Sequence, residues 1–140
     1  MYIGGGLANK MFQYAFSLAI KKKGYDVVYD TITFKTEFVH DRVELDDIFP
    51  NVNMNKISKS DYWAAGKQSK LARLVKRISP KYITEHAYLF NDKVWEQLKT
   101  TCYLESSWQD ENYFVSAADE VRQAFVFPPF EDERNVEVAK

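Results

Sequence analysis

The chain has 140 residues, 46% hydrophobic and 16% aromatic, with 19 basic residues against 20 acidic ones and a net charge of −1. That composition belongs to one folded domain with a real core rather than to a disordered segment, and its charge balance supports neither a nucleic-acid nor a membrane-surface role. Cys102 is the only cysteine, so no intramolecular disulfide can form; with no secretory signal, no Asn-x-Ser/Thr sequon and no apolar run of membrane-spanning length, a cytoplasmic protein is expected.

Met1 to Gly4 reads as the stub of a first strand. From Asn9 to Lys23 the pattern is helical: Met11, Tyr14, Ala15, Leu18 and Ala19 recur at three- and four-residue steps. Lys21, Lys22 and Lys23 suit the negative end of that helix, and Gly24 stops it. Asp26 to Asp30 reads as a short buried strand, so the first 30 residues form a β-α-β unit, the usual start of a parallel sheet. The stretch from Thr31 to Ser58 is irregular apart from a short helical turn within Arg42–Phe49 that Pro50 ends. Ser60 to Ile78 is predicted as a basic helix. Its Lys67, Lys70, Arg73, Lys76 and Arg77 form either a solvated face or an anion-binding strip. Tyr82–Glu85 and Cys102–Glu105 read as strands flanking a short helix at Asp92–Leu98. Ser116–Phe125 is a further helix, Pro128-Pro129 interrupts regular structure after it, and Glu131–Lys140 begins another helix.

Gly4-Gly5-Gly6 stands directly before the first helix. Glycine permits backbone angles closed to other residues and lets a ligand approach the main chain. A helix N-terminus carries unpaired N–H groups and partial positive charge, so this turn is a candidate anion or sugar-phosphate site. The phosphate-loop pattern is excluded, because no Gly-Lys-Ser/Thr is present. The dinucleotide fingerprint fits Gly4 and Gly6 but has Asn9 at its third glycine, with Asp26 and Asp30 near the position of its ribose-binding acid.

The run Gly5-Gly6-Leu7-Ala8-Asn9-Lys10-Met11-Phe12-Gln13-Tyr14-Ala15 resembles the opening signature of the alpha-1,2-fucosyltransferase family, glycosyltransferase family 11, at nine of eleven positions. Arg42-Val43-Glu44-Leu45 with Phe49 is similar to the family's Arg-x-x-Leu…Phe element. The segment from Tyr103 to Phe114, with Trp108-Gln109 at its centre, resembles Tyr-Leu-x-Gly-Tyr-Trp-Gln-Ser-x-x-Tyr-Phe, and Phe125-Val126-Phe127 falls at the family's Phe-x-Phe. The resemblance implies an inverting enzyme that moves L-fucose from GDP-fucose to a galactose hydroxyl without a required metal or other cofactor. It implies an α/β fold, a Rossmann-like half of a two-domain GT-B-type glycosyltransferase, with a parallel sheet and flanking helices. Residues 1–140 are then expected to be the N-terminal half. The nucleotide-binding half, with its His-x-Arg-x-Gly-Asp motif, is absent from this sequence, and the chain alone is expected to be inactive. The implied partners are GDP-fucose and a galactose-containing acceptor glycan, with a homo-oligomer of the fragment as a further expectation. The implied place is the cytoplasm, free or against the inner face of a bacterial membrane.

By the same resemblance, Gly5, Gly6, Leu7, Asn9, Lys10, Trp108 and Gln109 are candidate substrate-binding residues and Asn9 a candidate for the chemistry; Asp30 is a candidate base because it ends the second strand on the sheet edge of the glycine turn, where α/β folds gather ligands. Asn9 offers both a donor and an acceptor, and it is also a good helix cap. Ala8 stands where the family has glycine, which strains the turn if that position needs positive φ. Lys10 replaces glutamine and sits either against a diphosphate or in solvent. Trp108 is either a sugar-packing face or core, and Ser106-Ser107 replace the family's Gly-Tyr. Asp110 and Glu111 read as a helix start, while His40 and His86 read as loop histidines. Two rival readings stand beside the enzyme: a dinucleotide-binding Rossmann domain using Gly4, Gly6 and Asp30, and a non-catalytic carbohydrate-binding or structural module.

Overall fold

The three glycines and the helix after them fix the centre of the molecule. In the computed structural model, which describes residues 1–32, 43–60, 82–85, 88–98 and 101–129, α1 spans Leu7–Lys22. It begins two residues earlier than the apolar repeat predicts. Gly6 is its extended N-cap, at φ −62° and ψ 167°, and Gly24, at φ +89°, comes directly after its C-cap Lys23. Leucine and alanine are strong helix formers, so nothing delays the start to Asn9.

Helix α1 is buried on more than its apolar face. Tyr14, Phe16, Ala19 and Ile20 are in the core, but so are Lys10, Gln13 and Ser17. These three polar residues lie at i, i+3 and i+7, one line along the helix. Hydrophobic periodicity does not register such a line.

The elements after α1 are short. Helix α2 is Leu45–Ile48, closed by a reciprocal capping box between Glu44 and Asp47. Strand β1 is Tyr82–Ile83, helix α3 is Lys93–Gln97 and strand β2 is Tyr103–Leu104. Two 3-10 turns, Glu111–Tyr113 and Val115–Ala117, lead into α4 at Ala118–Ala124. The predicted basic helix over residues 60–78 lies almost wholly outside the described residues. So do His40, Arg42, His86 and the segment 131–140.

Parallel pairing runs through the described strands. β1 and β2 are parallel, with Tyr82 opposite Tyr103 and Ile83 opposite Leu104, and α3 connects them. Tyr2 N donates to Leu104 O at 2.9 Å, which seats the first segment beside β2. Parallel bridges Tyr2–Asp30 and Tyr29–Lys56 carry the pairing outward. The predicted β-α-β unit over the first 30 residues therefore exists as a parallel bridge joined by α1, and the fold is mixed α/β. The predicted buried strand over 26–30 is buried only in part, since Val27, Tyr29 and Asp30 are buried whereas Asp26 and Val28 are exposed.

Aromatic rings fill the space between α1 and the C-terminal segment. Phe16 packs against Trp108 at 4.8 Å between ring centroids, against Tyr113 at 5.1 Å and edge-on to Trp95 at 5.3 Å. These large buried rings bring residues 103–114 onto α1, about a hundred positions downstream. No helix among the described residues is long and apolar enough to cross a membrane.

Candidate functional site

The glycine turn leaves the first segment at Gly4 and enters α1 at Leu7. Gly5 has φ +87°, and a Cβ built there would lie 2.8 Å from Asn9 Nδ2. Both the backbone angle and the space therefore require glycine. Gly6 has nothing within 4 Å of such a Cβ and a negative φ. The first helical hydrogen bond runs from Lys10 N to Gly6 O at 3.2 Å, and no side chain caps the turn. The N–H groups of Leu7, Ala8 and Asn9 precede that bond, and no acidic residue occupies the first turn. The positive end of the α1 dipole is thus open toward the surface, where Gly6, Leu7 and Ala8 are exposed.

Asn9 is the third residue of the helix and does not cap it. Its Oδ1 accepts a hydrogen bond from Gln109 Nε2 at 2.9 Å, across 100 residues of sequence. Gln109 is exposed and Asn9 half-buried. One turn deeper, Gln13 makes the parallel link: its Oε1 accepts from Gly4 N at 2.8 Å, and its Nε2 donates to Ser106 O at 3.0 Å. Two amide side chains on one helix line therefore tie the glycine turn to the 106–109 segment. Gln13 carries no role in the sequence reading beyond its place in the motif, and its burial at 2% exposure is what reveals the role.

The structure places Lys10 outside both of its expected positions and decides the alternatives left open at Trp108 and Ala8. Lys10 lies neither in solvent nor along the glycine turn. It is buried, and its Nζ donates to Val43 O at 2.7 Å. Its position on the line with Gln13 and Ser17 turns it inward. Trp108 is fully buried, with its ring held between Phe16 and Tyr113, so its faces serve the core and not a sugar. Ala8 lies inside α1, where no positive φ is needed, so alanine in place of glycine causes no strain.

Asp30 belongs to another group of residues. It is 2% exposed, its Oδ2 accepts from Tyr103 OH at 2.7 Å and its Oδ1 accepts from Ile32 N at 3.1 Å. Those bonds secure the sheet edge and do not run to the Asn9–Gln109 pair. Asp30 and Tyr103 also border a cavity of about 550 Å³ lined by Met1, Val28, Leu98 and Cys102 among others; the glycine turn, Asn9 and Gln109 do not line it.

The turn that delivers Gln109 is strained. Trp108 has φ +53°, a left-handed conformation that costs a bulky residue about 1–3 kcal/mol. Glu85, buried at the end of β1, holds it: Glu85 Oε2 accepts from Trp108 N at 3.0 Å and from Ser106 Oγ at 3.3 Å. Burial pushes the Glu85 carboxyl above its ordinary value. The bonds from Trp108 and Ser106 pull it back, and the Asp110 charge adds to the rise. Asp110 caps the next 3-10 turn through Asn112 N at 3.0 Å, the start of helical structure that the sequence predicts there. That bond draws its own carboxyl below the usual range.

No protein-family model, curated protein or solved structure matches the chain.

The arrangement offers three chemical capacities at the N-terminus of α1. The α1 N-terminus offers backbone N–H groups and positive potential for an anion. Gly5 and Gly6 let that anion approach the main chain. The Asn9–Gln109 pair retains the Asn9 amide N–H groups and the Gln109 carbonyl for neutral hydroxyls.

Proposed function

We propose that the chain is the N-terminal, Rossmann-like part of an inverting alpha-1,2-fucosyltransferase of the GT-B type. In this reading, Gly5, Gly6, Leu7, Asn9 and Gln109 form one wall of its sugar-nucleotide cleft. The observation that carries the reading is the contact between Asn9 and Gln109. Each belongs to a separate stretch resembling the same enzyme family, and their meeting gives two independent motifs one location.

The chemistry asks for groups that this wall supplies. Departure of GDP leaves negative charge on a diphosphate, which backbone N–H groups at a helix N-terminus stabilise. The fucosyl ring carries hydroxyls that a donor–acceptor amide pair can orient. Lys10 and Trp108 fall outside this assignment because both are buried, and Asp30 because its carboxylate oxygens already accept hydrogen bonds. Acceptor deprotonation and the main diphosphate clamp are assigned to the second half of the enzyme.

An activity assay on the full product of the reading frame tests the proposal, with GDP-fucose as donor and a β-galactoside as acceptor. Fucosyl transfer with inversion that falls at least tenfold in Asn9→Ala is the expected result. A product that transfers no fucose, or one that binds NAD(H) through the glycine turn, overturns it.

A further inference from the structure

Glu85 stands outside every motif that the functional reading uses, yet it sits under the site. It is buried at the carboxyl end of β1, at 8% exposure, and its Oε2 accepts from the backbone of Trp108 and the hydroxyl of Ser106. Trp108 directly precedes Gln109 and holds a left-handed backbone angle. Ser106 is also tied to α1, through its carbonyl and Gln13 Nε2 at 3.0 Å. The path from Glu85 to the surface is therefore short: carboxylate, Trp108 N–H, Gln109 side chain, Asn9 Oδ1.

We propose that Glu85 is a positioning residue: its carboxylate fixes the left-handed turn at Trp108 and thereby holds Gln109 Nε2 against Asn9. The inference rests on the reading of Asn9 and Gln109 as a ligand wall for its functional meaning. The coupling itself exists without ligand. Its physical basis is specific. A left-handed angle at tryptophan is unfavourable unless the surroundings over-determine it, and a buried charge-assisted hydrogen bond is among the stronger such constraints. Among the described residues Glu85 Oε1 has no hydrogen-bond partner, so the bonds of the carboxyl described here all go to this one turn.

The groups around the carboxyl define what a pH titration would read. The 106–110 segment faces it with Ser106, the Trp108 amide and the like-charged Asp110. The 3-10 turn Glu111–Tyr113 contributes the Tyr113 phenol, which is itself held up by burial and by Glu85. Toward α1, through Ser106, stands the neutral Gln13. His86 is next to Glu85 in sequence and needs its own control.

The test is heteronuclear NMR of the ligand-free chain, reading the Gln109 side-chain amide and the Trp108 backbone amide. Asn9→Ala supplies the shift of a released Gln109. Glu85→Gln, which keeps an acceptor oxygen and matches the protonated acid, is expected to leave Gln109 at the wild-type shift of the acid limb at every pH, and Glu85→Ala is expected to move it to the released position. In the wild type both amides are expected to shift with one midpoint above the ordinary glutamate range. That step should vanish in Glu85→Gln and survive in His86→Gln. If Glu85→Ala does not fold, the wild-type and Glu85→Gln titrations still decide. A Gln109 amide at its wild-type shift in a folded Glu85→Ala, or a titration step that persists in Glu85→Gln, overturns the inference. A failure of GDP-fucose to act on this protein overturns the functional reading and leaves these shifts as they are.

Discussion

Asn9 Oδ1 and Gln109 Nε2 meet at 2.9 Å although 100 residues separate them, and the contact lies directly above the only described turn where a glycine is backed by a side chain. The same side chain that receives Gln109 also closes over Gly5. The turn, the helix start and the distant segment therefore behave as one unit, and the effects of substitution in it should be coupled.

Gly5 and Gly6 should respond differently to alanine. Gly5→Ala forces a Cβ into a φ of +87° and against Asn9 Nδ2 at 2.8 Å. It should cost about 1–3 kcal/mol and displace Asn9 from Gln109. Gly6→Ala meets open space at a negative φ and should cost only about 0.5–1 kcal/mol, the loss of a tolerated N-cap residue, with Asn9 left against Gln109. Thermal unfolding of the two variants separates them, and equal losses would count against the geometry described.

Gln13→Ala should be the most damaging single change in the polar line of α1. It removes partners from Gly4 N and Ser106 O, both in the packed region. Leaving two such groups unpaired should cost about 2–4 kcal/mol in urea denaturation. Asn9→Ala removes one bond with an exposed partner and should cost about 0.5–1 kcal/mol.

Ala8→Gly should destabilise the protein even though it restores the residue of the resembled motif. Ala8 lies within α1 and has no positive φ to relieve. The expected loss is about 0.5–1 kcal/mol from helix propensity, measured by thermal unfolding.

Glu85 should make stability fall with rising pH. Burial holds its folded carboxyl above the ordinary value of 4.5. The native state therefore binds this proton more tightly than the unfolded chain does. The group's stabilising contribution is fully present below pH 4.5 and is lost as pH rises through the raised folded value. Glu85→Gln should flatten that slope and unfold at a higher temperature than wild type at neutral pH, with the two converging in acid. Circular-dichroism melts across the range would show it.

Much of this is legible in the residues, and the exceptions share a cause. The α1 repeat, the Gly24 stop, the short strands at 82–83 and 103–104 and the helix between them arise from apolar spacing and turn chemistry. Asn9 and Gln109 are singled out by the resemblance of their two segments to one family, and their amide side chains suit hydroxyl binding. Lys10, Gln13 and Ser17 stay hidden because a buried polar line on a helix looks, in sequence, like a solvated one. Trp108 is open between wall and core because only the positions of Phe16 and Tyr113 decide it. Glu85 is invisible as a support for Trp108, since a strand-end acid gives no sign of which distant backbone it will bind.

The most direct measurement is a titration of the isotope-labelled chain with GDP-fucose, tracked residue by residue. The account predicts weak, saturable shifts centred on the backbone amides of Gly5, Gly6 and Leu7 and on the side-chain amides of Asn9 and Gln109, abolished in Asn9→Ala and not reproduced by NAD(H). Shifts that instead cluster around the cavity bordered by Met1 and Cys102, or an unchanged spectrum at saturating GDP-fucose, would contradict it.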